Sequence, residues 1–263
     1  MELHVDVGGV KVFYRTEGMG EPVILIHGNG LSHGQWKYNI GPLSKSHKVY
    51  TPDLPGFGLS DKPEVNYGVP YYVEFLRSFI DALHIPTPVI VGHSMGGAVA
   101  AGLAARYPQE VAGLAISNAT GITPVGKLYS KELFDVFFSL SARSRKLFCR
   151  SMFYDGLASS LLDDIMLVAD NKESRNAFIK NCRDIMMYDS HRISMLKSIA
   201  VPTLIVWGLN DMLLPVSDAQ KYHDLIPGSS LKVFDMCGHI PNVERYEEFN
   251  RTVNEFLSDR CHF

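Results

Sequence analysis

The sequence has few cysteines, no strong excess of charge of one sign and no long apolar run. None of its four cysteines forms a Cys-x-x-Cys pair, and no His/Cys cluster has the spacing of zinc ligands. The formal net charge of −3 gives no electrostatic basis for binding nucleic acid. No apolar run approaches ~20 residues, so we expect no membrane span.

The beginning of the sequence also lacks the pattern of an export signal. Residues 1–7 contain no basic region followed by an apolar core, so a signal peptide is not expected. With so few cysteines, we interpret them as reduced thiols and predict a cytoplasmic location. The 263 residues are 46% hydrophobic and 20% charged, which is typical of a globular protein that buries a large core.

What the sequence does contain is a regular alternation of strand and helix patterns. Residues 2–16 alternate around Gly8 and Gly9 and predict a hairpin. Further strands are predicted at 23–26, 48–51, 88–91, 111–117, 203–207 and 230–234, and helices at 70–84, 95–106, 217–225 and 245–257. This alternation predicts an α/β fold, with a mostly parallel central sheet and helices on both faces.

Residues 121–198 interrupt the alternation. They hold five of the ten methionines and no clear strand. Helix-like segments are predicted at 130–140, 144–153, 159–169 and 174–187. We therefore expect residues 121–198 to form a helical insertion in a core made of residues 1–120 and 199–263.

The most specific motif is Gly92-His93-Ser94-Met95-Gly96, which follows a predicted strand and opens a predicted helix. A strand, Gly-x-Ser-x-Gly and a helix, in that order, are the context of a nucleophile elbow. The tight turn needs residues without bulk on either side of the serine. The motif therefore makes Ser94 a candidate nucleophile.

A serine hydroxyl is a weak nucleophile until a base takes its proton, and that base is usually a histidine oriented by a carboxylate. Asp211 follows the predicted strand 203–207, and His239 follows the next predicted strand. Loops at the carboxyl ends of parallel strands carry functional groups. Ser94, Asp211 and His239 thus form a candidate catalytic triad. Asp61, Asp218 and Asp235 are alternatives for orienting His239.

Five motifs together resemble the α/β-hydrolase superfamily over nearly the full length of the chain. They are His27-Gly28-Asn29-Gly30, the run from Asp53 to Asp61, Gly92 to Gly97, Trp207 to Asp211, and Gly238-His239. The resemblance implies the α/β-hydrolase fold, with residues 121–198 as a helical cap above the active site. It also implies that Asp53 is a structural loop residue, and we expect His27 and His93 to be packing or hydrogen-bonded histidines.

The same resemblance implies where the oxyanion of an acyl-transfer intermediate is held. One donor is the backbone N–H of the residue after the nucleophile, here Met95. The other comes from the loop after the first long strand and is the N–H of Asn29, with that of Gly30 as the alternative. This chemistry requires no metal and no organic cofactor.

Because serine occupies the elbow, we expect hydrolysis of carboxylic esters with a small to medium acyl group, through an acyl-enzyme. The expected partner is an apolar small molecule, and the oligomeric state is left open. Carbon–carbon hydrolysis of ring-cleavage products is the nearest alternative, although such relatives typically carry tryptophan after the catalytic histidine and this chain has Ile240. Thioesterase and amidase activities, and a non-catalytic receptor on the same fold, are further alternatives.

Overall fold

The computed structural model describes residues 1–123, 170–186 and 190–259, together with the isolated residues 141, 143, 144, 154 and 168. The helices predicted at 130–140, 144–153 and 159–169 lie almost entirely outside these residues. The helix predicted at 174–187 lies largely inside them, and it spans Lys172–Met186 in the structure.

The described residues contain an eight-stranded sheet. Its strands are β1 Glu2–Val7, β2 Val10–Glu17, β3 Pro22–Ile26, β4 Lys48–Pro52, β5 Val89–His93, β6 Gly113–Ser117, β7 Thr203–Gly208 and β8 Ser230–Phe234. They are ordered β1-β2-β4-β3-β5-β6-β7-β8 across the sheet. The β1–β2 hairpin and the β2–β4 pair are antiparallel, and all other neighbouring pairs are parallel. The predicted mostly parallel sheet is confirmed.

Helices cover both faces of this sheet. Within the described residues they are α1 Ile40–Ser44, α2 Val69–Ala82, α3 Met95–Arg106, α4 Lys172–Met186, α5 Ser190–Met195, α6 Ser217–Leu225, α7 Pro241–Glu244 and α8 Tyr246–Asp259. Short 3-10 turns cover His33–Trp36, Pro108–Glu110 and Leu196–Ser198. The central strands β5, β6 and β7 are buried along their whole length, as expected for strands packed on both faces.

Alternate residues of each strand enter different cores. Ile24 and Ile90 belong to the core under α2, α3 and α6, whereas Leu25 and Val91 belong to the core under α1 and α8. This period of two follows from the pleat of the strands. The short apolar runs that predicted these strands are therefore continuous because both faces of the sheet are covered.

The closing helix predicted at 245–257 is α8, which spans Tyr246–Asp259 in the structure. A short helix that was not predicted, α7, precedes it, and the chain leaves the helical conformation between the two at Arg245, where φ is −129°. Helix α7 begins with Pro241, whose fixed φ suits the first turn of a helix.

The carboxyl ends of β3, β5, β6, β7 and β8 lie at one edge of the sheet. The chain crosses in opposite directions on the two sides of β3, which pairs with β4 on one side and β5 on the other. Such a switch point leaves a crevice beyond the strand ends, where ligands bind in open α/β sheets. In the part of the chain that the structure describes, no helix combines the length and apolarity needed to cross a membrane.

Candidate active site

Ser94 lies between β5 and α3 in a strained backbone conformation, with φ 54° and ψ −117°. Few non-glycine residues adopt a positive φ, and those that do cluster at functional sites. The turn is closed by contacts that exclude side chains. A Cβ at Gly92 would overlap the carbonyl group of Gly96, and a Cβ at Gly96 would overlap the carbonyl oxygen of Ile26. The two glycines of the motif therefore permit this turn.

His239 lies between Ser94 and Asp211 and bonds to both. Its Nε2 is 3.1 Å from Oγ of Ser94, and its Nδ1 is 2.8 Å from Oδ2 of Asp211. All three come from loops at the carboxyl edge of the sheet, and the imidazole is only 8% exposed. Because the Asp211 carboxylate only accepts hydrogen bonds, Nδ1 carries the proton and Nε2 is free to accept the proton of Ser94.

Asp211 accepts hydrogen bonds at both carboxylate oxygens. Oδ1 receives the backbone N–H groups of Leu213 and Leu214, at 2.7 and 3.0 Å, and Oδ2 receives Nδ2 of Asn118 at 2.6 Å. Burial alone would raise the pKa of Asp211, but His239 and these donors outweigh it and lower the pKa. The carboxylate is therefore charged at neutral pH and fixed in orientation.

Asn118 is a site residue that sequence reasoning missed. It follows β6, has φ 45°, and is completely buried. Its amide nitrogen donates to Asp211, while its oxygen accepts the backbone N–H of Gly208 at 3.3 Å. The available signal was a polar residue at a strand end, but the sequence does not show that β6 and β7 are neighbours.

The other carboxylates considered for orienting His239 have different partners. Asp218 accepts from the backbone N–H and hydroxyl of Thr123. Asp61 accepts the backbone N–H of Lys11, and Asp235 accepts that of Met236. In the described part of the chain, Asp211 is the carboxylate that bonds to His239.

His93 supports the backbone of His239. Its Nε2 donates to the carbonyl oxygen of His239 at 2.8 Å, and the two rings meet edge to face with centroids 4.9 Å apart. Burial, together with the neighbouring His239, lowers the pKa of His93 from 6.5 to about 3. His93 is therefore a neutral donor at physiological pH.

His27 and Asp53 organise the loops beside the site. His27 donates from Nδ1 to the carbonyl oxygen of Gly28 and accepts the N–H of Leu54 at Nε2. Asp53 is fully buried and bonds to the backbone and the ring of His33. Burial would raise the pKa of Asp53, but His33 lowers it overall. These contacts fasten the loop after β3 to the loop after β4.

Backbone N–H groups near Ser94 have no hydrogen-bond acceptor within the described residues at Met95, the first residue of α3, and at Asn29 and Gly30, the two alternatives in the loop after β3. The first N–H groups of a helix have no partner inside it, and they carry its positive dipole end. Gly30 has a φ of 77°, which lets the loop after β3 turn sharply. Backbone N–H groups without an acceptor are the kind of donor that stabilises a developing negative charge on oxygen.

In contrast to its backbone N–H, the side chain of Asn29 is bonded to helix α4. Its Nδ2 donates to the carbonyl oxygen of Phe178 and the sulfur of Cys182, at 3.3 and 3.2 Å. Its Oδ1 accepts Nδ2 of Asn181 at 3.1 Å. The ring of Phe178 lies so close to Gly30 that a Cβ there would be 2.9 Å from it. Helix α4 thus packs directly on the loop that carries the Asn29 N–H.

A cavity of about 440 Å³ lies between α2, α3 and α5, and Ser94, Asp211 and His239 are not among the residues that line it. Its mostly apolar wall includes Val73, Ala101, Thr120 and Tyr222. Thr120 in this wall donates its backbone N–H to the carbonyl oxygen of Ser94. Among the described residues, no cluster of three or more His, Cys, Asp or Glu side chains could hold a metal ion.

Comparisons with known proteins agree with this architecture. The model of the alpha/beta hydrolase family matches residues 23–252. A 2-hydroxy-6-oxo-6-(2'-aminophenyl)hexa-2,4-dienoic acid hydrolase from Metapseudomonas resinovorans is 30% identical, with 99% of this chain and 92% of that protein covered.

Solved structures are similar over the same length. A meta-cleavage product hydrolase from Pseudomonas fluorescens has a TM-score of 0.85 and 29% identity, covering 98% of this chain and 97% of its own. An N-acyl homoserine lactone degrading enzyme has a TM-score of 0.83 and 27% identity, covering 97% of this chain and 100% of its own.

Proposed function

Because the chain belongs to the alpha/beta hydrolase family, we propose that it is a serine hydrolase whose nucleophile is Ser94. The observation that carries this proposal is the continuous hydrogen-bonded line from Ser94 through His239 to Asp211. His239 acts as the general base, and Asp211 holds its tautomer and stabilises the imidazolium that forms.

The reaction proceeds in two halves. Nε2 of His239 takes the hydroxyl proton as Oγ of Ser94 attacks the substrate carbonyl carbon, and the oxyanion lies against the N–H groups of Met95 and Asn29. The imidazolium then protonates the leaving group, and an acyl-enzyme remains on Ser94. Water, deprotonated by the same imidazole, attacks the ester of this intermediate and releases the acid.

The bond that this machinery cleaves is, in our proposal, a carboxylic ester with a small to medium acyl group. Lactones fall within the same class, and one similar structure of 27% identity is an enzyme that degrades a lactone. The residue after His239 is Ile240, whose side chain is buried and apolar. Ester cleavage needs only proton delivery to an alcohol oxygen, which His239 supplies without a further group beside it.

Residues 121–198 are proposed to be the cap that selects the substrate. The described helix α4 supports this, because it contacts the loop of Asn29 and packs on Gly30 through Phe178. Apolar side chains on such an insertion suit an apolar small molecule. A substrate bound beneath α4 would lie between the oxyanion donors and the insertion.

Carbon–carbon hydrolysis is a second candidate, because several similar proteins are hydrolases of ring-cleavage products. The hydrolase from Metapseudomonas resinovorans and the meta-cleavage product hydrolase are both similar to this chain over nearly its whole length. The same triad would serve this reaction if the cleaved bond leaves a stabilised carbanion in place of an alkoxide. Thioesterase and amidase activities use the same steps with other leaving groups.

The test is a substrate panel with the wild type and Ser94→Ala. p-Nitrophenyl esters from acetate upward, simple lactones, acyl thioesters and a 2-hydroxy-6-oxo-hexa-2,4-dienoate are compared, the last by loss of its dienol absorbance. We expect ester turnover that peaks at one chain length and falls about a thousandfold or more in Ser94→Ala. Turnover of the dienoate alone would favour the second candidate. Full activity of Ser94→Ala on a true substrate would overturn the mechanism.

A further inference from the structure

A buried carboxylate outside the triad grips the backbone on both sides of His239. Glu244, at the end of α7, is only 6% exposed. Its Oε2 accepts the N–H of Gly238 at 3.0 Å, and its Oε1 accepts the N–H of Ile240 at 2.9 Å. Burying a carboxylate costs folding free energy unless hydrogen bonds compensate it. These two hydrogen bonds provide that compensation.

The backbone of His239 is consequently fixed at three successive points. Glu244 holds the N–H groups before and after it, and His93 donates to its carbonyl oxygen. The imidazole is 2.8 Å from Asp211 and 3.1 Å from Ser94, so a small rotation of this loop would lengthen both contacts. Glycine at 238 relieves a tight approach, because a Cβ there would lie 3.0 Å from Oε2 of Glu244 and one of the two would have to shift.

The same oxygen reaches the insertion. The backbone N–H of Tyr154 donates to Oε2 of Glu244 at 3.0 Å, and this nitrogen also lies 3.0 Å from the Cβ position of Gly238. Tyr154 belongs to the segment between β6 and β7, 90 residues from Glu244 along the chain. Three backbone donors, two from the His239 loop and one from the insertion, thus converge on one carboxylate.

We infer that Glu244 is a positioning residue for His239, and that it fastens the insertion at Tyr154 to the loop carrying the general base. The inference rests on the proposed role of His239. Glu244 does not touch the reacting atoms and acts only through the backbone. A carboxylate suits this task because it offers acceptors in two directions, whereas a neutral amide of the same shape offers one.

The test compares Glu244→Gln with Glu255→Gln, a matched change on an exposed residue of α8. Glutamine keeps the shape but presents an NH2 group to at least one backbone donor. We expect kcat to fall about tenfold to a hundredfold with KM nearly unchanged, because the base is misplaced and the pocket is kept. Glu255→Gln should match the wild type in both constants.

A second readout does not depend on any substrate. The proton between Nδ1 of His239 and Asp211 should give a far-downfield NMR signal, which we expect to broaden or shift in Glu244→Gln and to stay in place in Glu255→Gln. The rate of Ser94 labelling by a fluorophosphonate should fall with kcat. If Glu244→Gln does not fold, Glu244→Asp keeps the charge but is too short to reach both donors, and the same losses are expected.

The outcomes separate this inference from the proposed function. A folded Glu244→Gln with wild-type kcat and an unshifted NMR signal would overturn the positioning role while leaving the serine hydrolase intact. A wild type that neither turns over esters nor reacts with the fluorophosphonate would instead count against the proposed function. The NMR comparison would still report whether Glu244 holds the imidazole.

Discussion

At the residue scale, His93 holds the backbone of His239 and also makes the free energy of unfolding depend on pH. The pKa of His93 is about 3 in the folded protein and returns to the ordinary 6.5 on unfolding. The unfolded chain therefore binds one more proton than the native protein between these values. Stability from this residue is complete above pH 6.5 and is lost as the pH falls toward 3.

We expect His93→Gln to flatten this dependence. Glutamine can still donate to the carbonyl of His239 but does not titrate. Between pH 6.5 and 4.5 the wild type should lose up to about 1.4 kcal/mol of unfolding free energy per pH unit more than the variant. Urea unfolding at pH 7, 6 and 5 measures this, with His4→Gln as the control on an exposed histidine. Parallel curves for wild type and His93→Gln would contradict the neutral, buried state.

Also at this scale, we expect the backbone N–H and the side-chain amide of Asn29 to have separable roles. Asn29→Ala keeps the backbone N–H proposed for the oxyanion and removes the side-chain contacts with α4. We expect kcat to stay within about tenfold of the wild type, and the unfolding free energy to fall by about 1–2 kcal/mol. Steady-state kinetics and urea unfolding check this against Ser94→Ala. A thousandfold loss of kcat would show that the amide side chain itself acts on the substrate.

At the scale of elements, the elbow and the short helix α1 offer a matched pair of glycines. A Cβ at Gly92 would overlap the carbonyl group of Gly96, whereas a Cβ at Gly41 in α1 meets nothing within 4 Å. We expect Gly92→Ala to cost about 3 kcal/mol or more and to prevent fluorophosphonate labelling. Gly41→Ala should be neutral or stabilise by about 0.5–1 kcal/mol. Equal stabilities of the two variants would contradict the steric overlap expected for a Cβ at Gly92.

Elements were largely predictable from the sequence because their periodicity is local. The apolar run at 88–91 and the small residues after Ser94 predicted β5 and α3, which span Val89–His93 and Met95–Arg106. Helix α1 has five residues and too little periodicity to be detected. The four-residue α7 was missed for the same reason, whereas α8 lies where the closing helix was predicted.

At the scale of the whole molecule, a buried amide network joins the beginning and end of the chain. Gln35 accepts the N–H of Gly28 and donates to Asn242, which follows His239 by three residues. Asn242 in turn exchanges hydrogen bonds with Asn39, 203 residues away, and Asn39 donates to Asn250 in α8. The network connects the loop of the proposed oxyanion donor to the helix behind the proposed base.

We expect Asn39→Ala to destabilise the protein by about 2–4 kcal/mol, because it leaves several buried polar groups without partners at once. Asn66→Ala, on an exposed residue, should change the unfolding free energy by less than about 0.5 kcal/mol. Urea unfolding of both variants at neutral pH provides the comparison. A loss below 1 kcal/mol in Asn39→Ala would indicate that water replaces the missing amide.

Contacts between residues that lie far apart in the chain were the least predictable from the sequence. Ser94, Asp211 and His239 were predicted to lie together because each lies in a recognisable motif at a strand end, and the structure joins them by hydrogen bonds. Asn118 and Glu244 were not predicted, because their partners are fixed by strand order and by the turn after His239. No local pattern states which strands are neighbours, and an isolated asparagine or glutamate is usually a surface residue.

The long segment between β6 and β7 joins two adjacent parallel strands, and this has a consequence for how such a chain can change. β6 and β7 pair directly, so the segment between them leaves and returns at fixed points of the sheet. The entropy of closing a loop grows only with the logarithm of its length. Residues can thus be added, deleted or exchanged in this segment without shifting the register of any strand. The sheet and the segment can therefore change independently of each other.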